Sequence, residues 1–223
     1  MAALESPHWE AVPTGLRELL PIIAALPFSS RFYLGGGTAL ALRLGHRLSH
    51  DLDFFSETDR VGDATRSEIR EHLRASFSEV AIVTDTLGDL TVTVADRHVG
   101  FYSYGYRILE PGGELMGIRV ASLLDIAAMK LDAIAGRGAR RDFYDLYALA
   151  QNTPLEELFE RAQEKYPDTR DFAMIVMPYL IDFRNADRDV PVNVLIPVTW
   201  EEIKGFFLSE ARRLAKLWFI SPD

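Results

Sequence analysis

The chain has 223 residues and a mass of 25.1 kDa, with 48% hydrophobic and 26% charged residues, enough for one large domain or two small ones. A balance of 24 basic against 33 acidic side chains gives a formal net charge of −9, which excludes a broad basic coat for nucleic acid or membrane, though not a local basic groove. The absence of cysteine excludes disulfide scaffolds, thiolate zinc sites and cysteine nucleophiles.

The opening MAALESPHWEAVP lacks the basic and apolar regions of a signal peptide. The densest apolar runs, such as residues 172–180, fall well short of the roughly 20 residues of a membrane-spanning helix. A cytoplasmic protein without membrane association is expected.

In chain order, residues 16–26 read as a helix kinked at Pro21, followed by the apolar run Phe32, Tyr33, Leu34 and three glycines. Residues 38–44 read as a helix with Thr38 as its N-cap and Gly45 closing it in the left-handed conformation. Residues 51–55 alternate acidic and apolar, the period of a half-buried strand, and Asp63 is placed to cap a helix reaching about residue 75. Strands are expected over 80–84, 90–95 and 98–104, the last two joined by a turn at Asp96-Arg97. From Ser122, where the Ser122-to-Asp125 spacing is that of a capping box, the pattern is helical, with further helices over 140–150, 154–164, 168–182 and 199–218. The expected architecture is α+β: a mixed-sheet core over residues 1–118 and a C-terminal helical domain over 119–223.

The segment that carries chemistry is Gly35-Gly36-Gly37-Thr38 followed by Asp51-Leu52-Asp53. In a strand, residues 51 and 53 point to one face, and two carboxylates so placed repel each other unless a cation lies between them. An oxygen-only set of this kind suits Mg²⁺, which keeps waters and takes further ligands from substrate phosphates. A glycine turn opening a helix leaves backbone N–H groups for an anion. No lysine follows the glycines, so this is not a Walker A loop. Taken singly, an Asp-x-Asp reads equally as two surface acids, and a triple glycine as a tight turn. Together they put a triphosphate beside a metal, as phosphoryl or nucleotidyl transfer requires.

Residues 32–56, FYLGGGTALALRLGHRLSHDLDFFS, resemble the AbiEii/AbiGii toxin family of nucleotidyltransferases, within the polymerase-β-like superfamily. The similarity continues at Lys130, at RDFYDLY over 141–147, and loosely over 179–207 with Trp200. The resemblance implies a polymerase-β-like core followed by a helical region. It implies Asp51 and Asp53 as holders of Mg²⁺ or Mn²⁺, and Gly36, Gly37 and Thr38 as contacts for the phosphates of an NTP. Arg47 and Ser49 would steady the triphosphate, and Lys130, Arg141 and Asp142 would complete the nucleotide site. The implied activity is transfer of a nucleoside monophosphate to RNA, tRNA in particular, or to a protein hydroxyl. The implied setting is a toxin–antitoxin or phage-defence system with a cognate antitoxin.

The residues of the second block have a reading of their own. Lys130 lies in an apolar stretch and either snorkels, meets an anion, or pairs with Asp125 or Asp132. Arg137, Arg140 and Arg141 form the most basic cluster, suited to phosphates or RNA backbone, or to ion pairs with Asp142, Asp145 and neighbouring helices. The superfamily's active members usually draw a third carboxylate from a later strand, and the corresponding run 98–105 holds none, with Asp96 before it and Glu110 after it. That departure keeps a catalytically degenerate nucleotide-binding module as the alternative. A sugar-nucleotide glycosyltransferase, the other use of Asp-x-Asp, is disfavoured by the glycine turn and the lack of an alternating βα chain. His46 and His50 fall in a loop and read as surface or substrate-loop residues. The rings of Phe101, Tyr102, Tyr104 and Tyr106 either stack bases or pack the sheet.

Overall fold

The computed structural model describes residues 3–4 and 6–219. The chain divides into two compact units, Met1–Ser122 and Leu123–Asp223.

The first unit is built on a five-stranded mixed sheet in the order β1-β2-β5-β4-β3. After α1 (Thr14–Ala24), β1 (Tyr33–Leu34) leads into α2 (Gly36–Leu44), and β2 (Leu52–Ser56) returns antiparallel to β1. Then α3 (Asp63–Ser76) precedes the meander β3 (Val80–Thr86), β4 (Asp89–Val94) and β5 (Arg97–Ser103). The β5 strand inserts beside β2 in parallel, pairing Asp53 with Gly100 and Phe55 with Tyr102. A small ribbon, β6 (Glu114–Leu115) and β7 (Ile118–Arg119), ends the unit.

Strand alternation gives the sheet two unlike faces. Leu52, Phe54, Leu90, Val92, Val94, Val99 and Phe101 are all buried on one side. There Phe28 and Phe32 meet Phe101 edge-on at 5.4 Å each, and Phe54 stacks on it at 5.2 Å. Burying a side chain of this size contributes about 1.5–3 kcal/mol, so this cluster fixes the strand register. The opposite face carries Asp53, Phe55, Gly100, Tyr102, Thr91 and Asp89. The face that carries Asp53 is therefore the back of a hydrophobic core.

The expected strands and helices form, with informative shifts. Ala95 and Asp96, at φ +47° and +61°, make the β4–β5 turn, one residue earlier than expected, because both central positions of a primed two-residue turn need positive φ. Thr38 does not cap α2: Gly35 is the N-cap, and the Thr38 hydroxyl points to the loop instead.

The second unit is helical: α4 (Leu123–Gly136), α5 (Arg140–Ala150), α6 (Leu155–Lys165), α7 (Phe172–Val176) and α8 (Trp200–Phe219). The single helix expected over 168–182 is broken. Only α7 is α-helical, and Met177–Ile181 continues as a 3₁₀ turn, with Pro178, which has no N–H for the α-helical bond, at its start. The Phe143 ring gathers Phe183, Trp200 and Phe207 at 5.2–5.8 Å. Thr199 and Glu202 bond reciprocally at the start of α8, as a capping box.

Charge is also buried in this unit. Lys165 and Asp125 are both 0% exposed, and the Lys165 ammonium donates to Asp125 Oδ1 at 2.7 Å. Neither ion is tolerable there without the other. Lys165→Met is expected to destabilise the protein by about 3–5 kcal/mol in urea titration, and adding Asp125→Asn should recover most of that loss.

Candidate active site

The glycine turn and the acidic strand are built against each other. The β1–β2 pairing brings Gly35 N–H to the Asp53 carbonyl at 2.9 Å. This register lays the Asp53 side chain over Gly36, whose φ of +63° is a left-handed conformation natural to glycine. A Cβ on Gly36 would stand 2.7 Å from Asp53 Oδ2, closer than any real contact. A Cβ on Gly37 would collide with the Arg47 guanidinium and lie 3.2 Å from Ser49 Oγ. Each glycine is bare because a particular polar side chain occupies the space beside it.

Thr38 ties the two sequence blocks together. Its hydroxyl lies 2.8 Å from Ser49 Oγ and donates to the backbone carbonyl of Asp51. Arg47 Nη1 donates to the Leu48 carbonyl at 2.9 Å, with Arg47 and Ser49 buried at 5% and 6% exposure. Thus Gly36, Gly37, Thr38, Arg47, Ser49 and Asp53 converge on the opening turn of α2, where the first backbone N–H groups lack intrahelical partners and favour anions. Asp51 lies one residue before β2, with an exposed side chain. Of the two carboxylates, that of Asp53 lies beside the glycine turn, and carboxylate oxygens suit a hard divalent cation that takes its other ligands elsewhere. Among the described residues no group of three or more His, Cys, Asp or Glu forms a metal cage. His46 is buried rather than a surface residue, while His50 is exposed.

Two residues, Thr91 and Asp89, escaped the sequence reading, and Tyr102 entered it only as one of a run of rings. Thr91, Asp89 and Tyr102 share the open sheet face with Asp53, because Gly100 pairs with both Asp53 and Thr91 while Tyr102 pairs with Phe55 and Asp89. The Tyr102 hydroxyl lies 3.3 Å from Thr91 Oγ1, which is also 3.0 Å from Asp89 Oδ1. Burial pushes the Tyr102 phenol up to about 12, and the negative charges of Asp53, Asp89 and Asp51 act in the same direction. The period-2 alternation of β4 and β5 marks these residues as outward-facing; their nearness to Asp53 depends on the parallel insertion of β5.

In the helical unit, Lys130 is 3% exposed and paired with neither Asp125 nor Asp132. Its ammonium lies 3.0 Å from Asp142 Oδ1 and 2.6 Å from Asp145 Oδ2. Arg137 closes on Asp142 in a fork, at 2.8 and 2.9 Å. Burial pushes the Asp142 carboxyl up, but Lys130 and Arg137 outweigh it and hold the group below its ordinary value. Arg140 bonds the Ala186 and Asp187 carbonyls and lies over the Trp200 ring at 5.2 Å. Two of the three clustered arginines are thereby engaged within the fold, and Arg141 is exposed.

Comparison with known proteins places the chain. The sequence profile described as "Nucleotidyl transferase AbiEii toxin, Type IV TA system" matches residues 18–214. The chain belongs to the AbiEii nucleotidyltransferase family. An uncharacterized protein of Aquifex aeolicus is 35% identical over 195 residues, covering 86% of this chain and 91% of that protein. JHP933 of Helicobacter pylori shares the fold at TM-score 0.50 and 20% identity, over 91% of this chain and 89% of that one. So does the nucleotidyltransferase toxin MenT4 of Mycobacterium tuberculosis, at TM-score 0.50 and 17% identity, over 88% and 83%. The antibiotic-resistance factor ANT(2'')-Ia aligns at TM-score 0.52 and 13% identity, over 70% of this chain and 93% of that one. The fold is that of polymerase-β-like nucleotidyltransferases.

Two predictions follow from the geometry. Gly36→Ala should cost about 1–2 kcal/mol of stability through its positive φ, yet reduce transferase activity far more, because its methyl displaces Asp53; parallel urea titrations and activity assays separate the two effects. Because the Asp142 carboxyl is depressed in the fold, its stabilisation is complete above the ordinary carboxylate value of about 3.9 and is lost as pH falls further. Asp142→Asn should therefore flatten the fall in stability below about pH 4, measured by acid titration of near-ultraviolet dichroism.

Proposed function

We propose that this protein transfers a nucleoside monophosphate from an NTP to a hydroxyl on RNA, tRNA-like in particular, or on a protein, and that it acts as a toxin restrained by a cognate antitoxin. The observation that carries the reading is the seating of Asp53 against the bare Gly36 turn, which sets a carboxylate beside the N-terminus of α2. In this reading the first N–H groups of α2, with Thr38, Arg47 and Ser49, receive the phosphates. Asp51 and Asp53 would hold Mg²⁺ or Mn²⁺, which when bound neutralises charge on the phosphates.

The acceptor oxygen forms a bond to the α-phosphorus as the bond from that phosphorus to the α–β bridging oxygen breaks. Pyrophosphate departs with the electron pair, and the acceptor proton passes to Asp53 or to water. Of the residues in the helical unit that the resemblance assigned, Arg141 is exposed, whereas Lys130 and Asp142 are buried. Lys130, already holding two carboxylates, is assigned to keeping Asp142 charged and in place.

One observation favours the degenerate module as a second reading: the strand residue paired with Asp53 is Gly100, so β5 presents no carboxylate at that position. Incubation with each α-labelled NTP, Mg²⁺ or Mn²⁺ and total RNA separates the two. Asp51→Ala with Asp53→Ala should lower label transfer at least about 100-fold. Equal labelling by wild type and the double variant would refute the proposal, and nucleotide binding without any transfer would establish the degenerate module.

A further inference from the structure

Asp53 has two flanks. On the β1 side lies the glycine turn, against which its carboxylate is packed. On the β5 side, its register partner Gly100 has no side chain, and the space above Gly100 belongs to Tyr102. The Tyr102 ring lies back along β5, so that its hydroxyl and adjoining ring carbons fall within collision distance of any Cβ at position 100. Paired residues on neighbouring strands point the same way, with Cβ atoms about 5 Å apart. The hydroxyl is thereby carried out of its own row and into the row of Asp53, Gly100 and Thr91. It is kept there by Thr91 Oγ1 at 3.3 Å and by the Phe55 ring, 5.2 Å from the Tyr102 ring.

We propose that Tyr102 is an acceptor-side catalytic residue, its hydroxyl hydrogen-bonding the attacking oxygen of the acceptor beside Asp53. This rests on the nucleotidyltransferase reading and adds a division of the site that neither the family match nor the fold supplies. The donor triphosphate enters on the glycine flank, and the acceptor hydroxyl enters across Gly100. The arrangement also accounts for Gly100: a larger residue there would evict the phenol. Thr91 gives its own proton to Asp89, so the Tyr102 phenol gives its proton to Thr91 and offers a lone pair that accepts from the acceptor hydroxyl. An ordinary phenol titrates near 10, so Tyr102 stays protonated at neutral pH and takes no proton from the acceptor. Its part is to orient the acceptor oxygen, while the proton leaves to Asp53 or water.

The test uses the full chain and three variants: Tyr102→Phe, which keeps the ring and removes only the hydroxyl, Gly100→Ala, and the two combined. Transfer of label from α-labelled NTPs to total RNA is read beside binding of an α,β-methylene NTP with Mg²⁺ and the melting temperature. We expect Tyr102→Phe to lower transfer about 10-fold, the effect of losing one hydrogen bond that orients the acceptor hydroxyl. Nucleotide affinity and melting temperature should stay within experimental error. Gly100→Ala should lower transfer comparably, and the double variant should fall little below either single one, since both remove the same contact. Transfer by Tyr102→Phe within about threefold of wild type would overturn the inference and leave the nucleotidyltransferase reading standing. Weakened NTP binding in parallel with transfer would also overturn it, by putting Tyr102 on the donor flank. Failure of the wild type itself to transfer label in a manner dependent on Asp51 and Asp53 would sink the underlying reading, and this inference with it.

Discussion

A single steric constraint organises the first unit: Asp53 and Gly36 occupy adjoining space, and no side chain fits between them. The turn after β1 must therefore be glycine, β2 must pair with β1 in one register, and α2 must start where its N-terminus faces a carboxylate. The bond from Thr38 to the Asp51 carbonyl and the Arg47 guanidinium over Gly37 hold the connecting loop to the same arrangement. A carboxylate beside a helix N-terminus is favourable in itself; a second anion at the same place would meet Asp53 as a like charge, and the two are held together only with a cation between them. Stability for that arrangement comes from the reverse face of the sheet, where Phe28, Phe32, Phe54 and Phe101 interlock.

The two units use charge differently. In the first, polar groups are concentrated on an open sheet face and at one helix start. In the second, two sets of ion pairs are internal, Lys165 with Asp125, and Lys130 with Asp142 and Asp145, beside others on the surface such as Arg213 with Glu156. A buried pair fixes the relative placement of the helices that carry it but adds little net stability. The rings around Phe143 supply the apolar packing that the charges do not.

Much of this was legible in the residue order, because the glycine turn and acidic strand are local. Gly36, Gly37, Thr38, Arg47, Ser49 and Asp53 lie within 18 positions and meet through one β1–β2 return. Long-range partnerships were less legible. Lys165 answers Asp125 from 40 positions away, and Lys130 takes Asp142 and Asp145 instead of its immediate acidic neighbours. Tyr102 was visible only as one of a run of rings, since alternation gives its face but not which strand lies next to it. The inference that β5 slots in parallel beside β2 needs topology, and with it Tyr102 becomes a neighbour of Asp53. Pro178 was a local signal passed over, and it divides a helix that periodicity alone would have run through.

The Lys165–Asp125 pair has a consequence on an evolutionary scale. Converting either residue alone to a neutral one removes the charge that balances the other in the core, so each single-step path to an apolar pair passes through a less stable protein. The two positions can drift only together, or after stabilising changes elsewhere have widened the margin. A contact that contributes little net free energy can thus persist across divergent relatives without any role in the chemistry, and its retention in a sequence comparison would testify to the depth of the valley on either side rather than to function.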